Sequence, residues 1–117
     1  MKILTVVSNL ISNAIKYTPF GSTITLSCSQ TDEGVKVCVE DQGSGIATDE
    51  LKKIFQRYYR SKERPTISGF GIGLYLCSEI ITRQGGKIWA ESNPGEGAKF
   101  YFTLREKIEN EHIQKPL

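Results

Sequence analysis

At 117 residues, 38% of them hydrophobic and 24% charged, the chain is long enough to bury one core and too short for two. A net charge of +2 argues against a nucleic-acid coat or a membrane patch and leaves any basic function to local clustering. No apolar run approaches the ~18 residues of a bilayer span. "MKILTVVSNL" runs on without a small-residue cleavage site, so a signal peptide is not expected. Cys28, Cys38 and Cys77 are scattered and accompanied by a single His, which weighs against a zinc site and suits reduced thiols in a cytoplasmic compartment.

In chain order, residues 2–17 carry Ile3, Val7, Leu10 and Ala14 at helical spacing, with Leu4, Ile11 and Ile15 widening the stripe. Thr18-Pro19 and Gly21 stop this helix. "STITLSCS" alternates Ile24, Leu26 and Cys28 on an inward face against Thr23, Thr25 and Ser27, and "GVKVCVED" does the same with Val35, Val37 and Val39. The short "QTDEG" link makes the two an antiparallel hairpin. After the glycine turn "QGSGIA", Thr48 is predicted as the N-cap of a short helix running to about Arg57. Residues 58–70 lack a period and read as a mobile loop. A further helix is predicted from about Gly71 to Gln84, ending at Gly85-Gly86. "KIWAESN" and "AKFYFTL" then flank "PGEG" as a second hairpin, with Phe100, Phe102 and Leu104 on one face. From Glu106 onward the chain is polar and reads as a fraying tail, in which His112 is a solvated residue. Helix, two strands, helix, loop, helix, two strands predicts an α/β fold. Its form is a two-layer sandwich, a mostly antiparallel sheet with helices on one face, rather than a doubly wound one.

Four clusters carry candidate chemistry. Asn9 and Asn13 share one helix face, with Lys16 and Tyr17 a turn beyond. An amide oxygen suits a hard cation such as magnesium, and Lys16 suits a phosphate, while a solvated polar stripe is the other reading of the same residues. Asp41 continues the inward parity of Val35, Val37 and Val39 beside Gly43 and Gly45. A carboxylate aimed into a core needs a donor, such as the exocyclic amine of adenine, unless it merely ends a strand in a turn. Arg57, Arg60, Lys62 and Arg64 form a basic stretch that fits triphosphate steering or an exposed loop with no ligand. In "SGFGIGL", Gly69, Gly71 and Gly73 alternate ahead of a helix, which suits either an anion at backbone amides or a flexible glycine hinge with no ligand. Their spacing matches neither a P-loop nor the dinucleotide fingerprint.

"NLISNAIKYTP", "DQGSG", "IFQRYYR" and "GFGIGL", in that order, resemble the N, G1, F and G2 boxes of the ATP-binding catalytic domain of sensor histidine kinases, in the superfamily that includes DNA gyrase and MutL. The resemblance runs from about Lys2 to Leu104. It implies the Bergerat sandwich over residues 1–105, followed by the tail, with Mg-ATP held between helices under a lid. Asn13 would ligate magnesium, Asn9 would sit beside it, Lys16 would meet the phosphates, and Asp41 would read the adenine amine. Gly43, Gly45 and Ile46 would line the base pocket. Tyr17, Phe55, Arg57, Tyr58, Arg60 and Phe70 would complete it, with Gly69, Gly71, Ile72, Gly73 and Leu74 at the lid hinge and the phosphates. The implied reaction is phosphoryl transfer to a histidine on a separate dimerisation domain, and thence indirectly to a response regulator. The implied location is the cytoplasmic side of a kinase that is itself soluble or membrane-anchored.

Superfamily ATPases place a Glu base where this chain has Asn9, so slow hydrolysis is expected. Tyr58 replaces the usual Phe, and Phe70 a frequent Thr. The family normally has a strand and a helix ahead of the N box, so a fragment with an uncovered sheet edge or helix groove is expected. A serine kinase of the anti-sigma-factor type and an ATP-sensing interaction module are the alternative readings.

Overall fold

The computed structural model describes residues 2–57, 73–92 and 95–105. Its elements are α1 (Ile3–Tyr17), β1 (Thr25–Thr31), β2 (Gly34–Asp41), a 3₁₀ turn at Thr48–Glu50, α2 (Gly73–Arg83), β3 (Ile88–Ser92) and β4 (Ala98–Arg105). The strands form one antiparallel sheet in the order β1-β2-β4-β3. Both helices lie on one face of it, α1 against β2 and α2 against β3 and β4. This is the two-layer sandwich predicted from the pattern.

The register explains the core. Val39 pairs with Phe100, which pairs with Ala90, and Val37 pairs with Phe102, which pairs with Ile88. Phe100 and Phe102 are fully buried under Val6, Leu10, Cys77 and Ile81 of the two helices. On the opposite face the same strands present the row Glu40–Lys99–Glu91 and the row Cys38–Tyr101–Trp89. There Trp89 stacks on Tyr101 at 5.1 Å and Lys36 sits 5.1 Å over the Tyr101 ring. Helix α1 ends where Thr18 turns extended ahead of Pro19, a residue pair that excludes the helical region. Helix α2 ends in a left-handed Gly85 (φ +82°), with the Gly86 amide donating to the Ile81 carbonyl at 2.9 Å.

Three sequence expectations need correction. Leu4 and Ile15 do not join the core stripe of α1; they are 76% and 61% exposed, and Val6 is buried instead. Leu26 and Cys28 do not face a covered interior. All of β1 is exposed, because it is an edge strand and the described helices pack on the other three strands. Thr48 is not a side-chain cap: the segment is a single 3₁₀ turn entered from Ala47 without a capping hydrogen bond, followed by turns to Arg57. The predicted loop at 58–70, the start of the second helix before Gly73 and the tail with His112 lie outside the described residues.

Cys77 marks the helix–helix contact, its Sγ lying 3.8 Å from the Val6 carbonyl oxygen. Burial pushes its thiol up from 9.0 to about 12. The folded state therefore holds the proton more tightly than the unfolded chain does. That stabilisation is fully present below about pH 9 and is lost as pH rises toward 12, at ~1.4 kcal/mol per pH unit. Urea midpoints followed by circular dichroism should fall more steeply from pH 9 to 11 in the wild type than in Cys77→Ala. Equal slopes would show that the thiol does not couple to folding.

Candidate functional site

The strand end of β2 delivers Asp41 to the interior, where it is 2% exposed. Its Oδ1 accepts from the Gly43 amide at 2.9 Å and from the Ala98 amide at 3.2 Å. Its Oδ2 is buried with no hydrogen-bond partner among the described residues. A buried acceptor left unpaired costs about 1–3 kcal/mol, so an oxygen held in this state points to a donor that arrives with a ligand. The exocyclic amine of a flat base is such a donor.

The loop that follows is pinned on several sides. Gly45 takes φ +83°, and Ile46, 3% exposed, anchors the loop in the core cluster. The Ile46 amide donates to Ser92 Oγ at 2.7 Å, and the Gly95 amide donates to the Ser44 carbonyl at 2.6 Å. Gln42 Oε1 accepts from the Thr23 amide at 3.0 Å. Gly97, at φ +80°, lies so close to Asp41 that an added Cβ would stand 2.2 Å from its carbonyl oxygen. These hairpin residues were not among the predicted site residues. "PGEG" signals a turn, but nothing in its residue types says which loop it supports.

On α1, Asn9 and Asn13 are partly buried one turn apart and Lys16 is exposed in the last turn, with Tyr17 closing the helix. Asn9 Nδ2 donates to the Thr5 carbonyl at 2.9 Å. That bond turns Oδ1 toward α2, where it would stand 3.4 Å from a Cβ on Gly73. The first turn of α2 and Asn9 on α1 therefore meet. Gly73 is not among the glycines with positive φ, and an added Cβ would make only ordinary contact with Asn9, so neither left-handed backbone nor crowding among the described residues accounts for glycine there. Leu74 and Phe55 pack against the core, Phe55 edge-on to Phe100 at 6.3 Å. Arg57 is exposed and lies 5.8 Å over the Tyr75 ring. Tyr58, Arg60, Gly69, Phe70, Gly71 and Ile72 lie outside the described residues.

A cleft of about 320 Å³ opens at the hairpin end of the sheet, lined in part by Glu40, Glu91, Glu96 and Lys99. Asp41 also lines it, and four carboxylates against one ammonium disfavour a polyphosphate there. The amides at the start of α2 and the Lys16 side chain are the better-suited surroundings for one.

Residues 1–108 match the family described as "Histidine kinase-, DNA gyrase B-, and HSP90-like ATPase". The adaptive-response sensory kinase SasA of Trichormus variabilis is 45% identical over 104 residues, an overlap that covers 88% of this chain and 26% of SasA. The chain thus spans about a quarter of the length of that relative. The solved catalytic domain of histidine kinase ThkA superposes with a TM-score of 0.76 at 32% identity, covering 89% of this chain and 67% of that one. Full-length ShkA in complex with AMPPNP gives the same TM-score at 27% identity, covering 92% of this chain and 23% of ShkA. The match over nearly the whole chain, joined to the sandwich and its buried strand-end carboxylate, places this protein in the histidine kinase-, DNA gyrase B- and HSP90-like ATPase family, among the catalytic domains of sensor histidine kinases.

Proposed function

We propose that the chain binds Mg-ATP and serves as the phosphoryl-donating half of a two-component sensor kinase. The buried, unpartnered Oδ2 of Asp41 carries this reading, because adenine offers the donor it lacks. Its kinship with an AMPPNP-bound kinase supports the same ligand class. Gly43, Gly45 and Ile46 border the base. Asn13 would hold magnesium through its amide oxygen, with Asn9 beside it, and Lys16 would meet the phosphates. The family resemblance assigns Gly69, Gly71 and Gly73 to the phosphates and the cations from Arg57 to Arg64 to a lid; of these only Arg57 and Gly73 are among the described residues.

ATP supplies the γ-phosphoryl group: its bond to the bridging oxygen breaks as a bond to an imidazole nitrogen forms, and ADP leaves. The acceptor is a histidine on a dimerisation domain, and a response regulator receives the group in turn, on the cytoplasmic side of the membrane. The protein's part is positioning and neutralisation of charge. Asn9 offers an amide, which does not take a proton from water, so transfer to a protein nucleophile is favoured over hydrolysis.

Incubated with labelled ATP and magnesium, the chain should release phosphate slowly and stay unlabelled. Adding a histidine-bearing dimerisation domain should yield an acid-labile, base-stable label on that domain. Rapid hydrolysis that is lost in Asn9→Ala would identify an ATPase instead. The metal assignment has its own test: in Asn13→Ala the magnesium dependence of ATP binding should flatten, whereas Asn9→Ala should keep part of it. Unaltered magnesium dependence in the Asn13 variant would remove that residue from the metal site.

A further inference from the structure

We infer that Ser92, at the end of β3, is the positioning residue for the base-reading loop. The inference rests on the proposal that Asp41 reads adenine. Ser92 is half-buried and its hydroxyl is used in both directions at once. It accepts from the Ile46 amide at 2.7 Å, across 46 residues of sequence, and donates to the Gly97 carbonyl at 2.7 Å. Both bonds are short, and together they fix the hydroxyl rotor in one orientation.

The consequence is a closed frame around Asp41. One end of the 41–46 loop is held by the Asp41 carboxylate on the Gly43 amide, and the other end by Ser92 on the Ile46 amide. The hairpin supplies the remaining ties, the Ala98 amide on Asp41 Oδ1 and the Gly95 amide on the Ser44 carbonyl. Gly97 lets its backbone lie against the Asp41 carbonyl where a side chain would not fit. The direction of Asp41 Oδ2 is then set through Oδ1, which is held by the Gly43 amide of the loop and the Ala98 amide of the hairpin strand. The Ser92 side chain joins the two loops by a donor and an acceptor together. Without its hydroxyl the buried Ile46 amide loses its partner and the Gly43–Ile46 segment is free to shift against Asp41. Ser92 does not need to touch the nucleotide. It acts through the Ile46 amide on the geometry of Gly45 and Ile46 relative to the carboxylate.

The isosteric pair Ser92→Thr and Ser92→Val tests this, since both keep strand propensity and only Thr keeps the hydroxyl; Ser92→Ala substitutes for Val if the latter does not fold. ATP and GTP binding to the 117-residue chain would be titrated calorimetrically at a temperature where all variants are folded, and amide hydrogen exchange would follow Ile46. The Val variant should bind ATP about tenfold more weakly, lose part of its preference for ATP over GTP, and exchange the Ile46 amide faster. The Thr variant should stay within about threefold of wild type on every measure. A Val variant whose Ile46 amide exchanges faster while its affinity and base preference are unchanged would overturn the positioning role and leave the ATP site standing. A wild-type chain that does not bind ATP would overturn the ATP site, and the role of Ser92 with it.

Discussion

Asp41→Asn should weaken ATP binding by one to two powers of ten while leaving the thermal midpoint close to wild type. The substitution changes one atom's role. Asn keeps an Oδ1 for the Gly43 and Ala98 amides and places an NH₂ where the unpartnered Oδ2 stands. In the free protein one unpaired buried polar atom replaces another, so stability moves little. In the complex a donor faces the adenine amine, itself a donor, and a mismatch of that kind costs about 1–3 kcal/mol. The same reasoning predicts a reversal with inosine triphosphate, whose ring carries an oxygen in place of the amine. The wild type should disfavour it and the Asn variant should recover part of the loss. Calorimetric titration of both proteins with both nucleotides gives the four numbers required. Equal ATP affinity in the two proteins would remove Asp41 from the base pocket.

That carboxylate was legible in the sequence because strand parity is a strong signal. Val35, Val37 and Val39 set the inward row, and Asp41 falls on it next to glycines. The outcome, a 2% exposed side chain beside a 1% exposed Val39, follows from the two-residue period alone. The helix was less legible. At ~100° per residue the apolar residues of α1 cover about half its circumference, with Val6 toward one edge and Leu4 and Ile15 toward the other. Periodicity finds such an arc but does not say which edge meets the sheet. Asn9 and Asn13 flank the Val6 edge, which is why they end half-buried, Asn9 near the start of α2, while Ile15 ends in solvent. The hairpin's part in the site was not legible at all. A serine at a strand end is common, and its bond to Ile46 spans 46 residues. Composition carries no trace of such a pairing. Thr48 failed as a cap for a local reason: Asp49 and Glu50 suit a helix start, but the chain makes one 3₁₀ turn and buries Glu50 instead of extending the helix.

The sheet's uneven cover gives the second large effect, on stability. Phe100 is 1% exposed, paired with Val39 and Ala90 and in edge contact with Phe55 at 6.3 Å. Truncation to Ala removes that contact and opens a cavity one residue pair from Asp41, and should cost about 3–5 kcal/mol. Against a total of roughly 5–15 kcal/mol for a domain this size, the urea midpoint should fall by about a fifth or more. Leu26 sits on the same inward parity two strands away, and the sequence pattern alone gives it a comparable place. Yet it is 52% exposed on the edge strand, so Leu26→Ala should stay within about 0.5 kcal/mol of wild type. The contrast tests where the core stops, because side-chain size and alternation are held similar while burial differs. It also bears on the site. Phe55 belongs to the turns that lead to Arg57, so Phe100→Ala should weaken ATP binding further than its unfolded fraction explains, and Leu26→Ala should not alter binding. If the two substitutions destabilise the chain equally, β1 is covered in solution, and the helical layer reaches one strand further than α1 and α2 carry it.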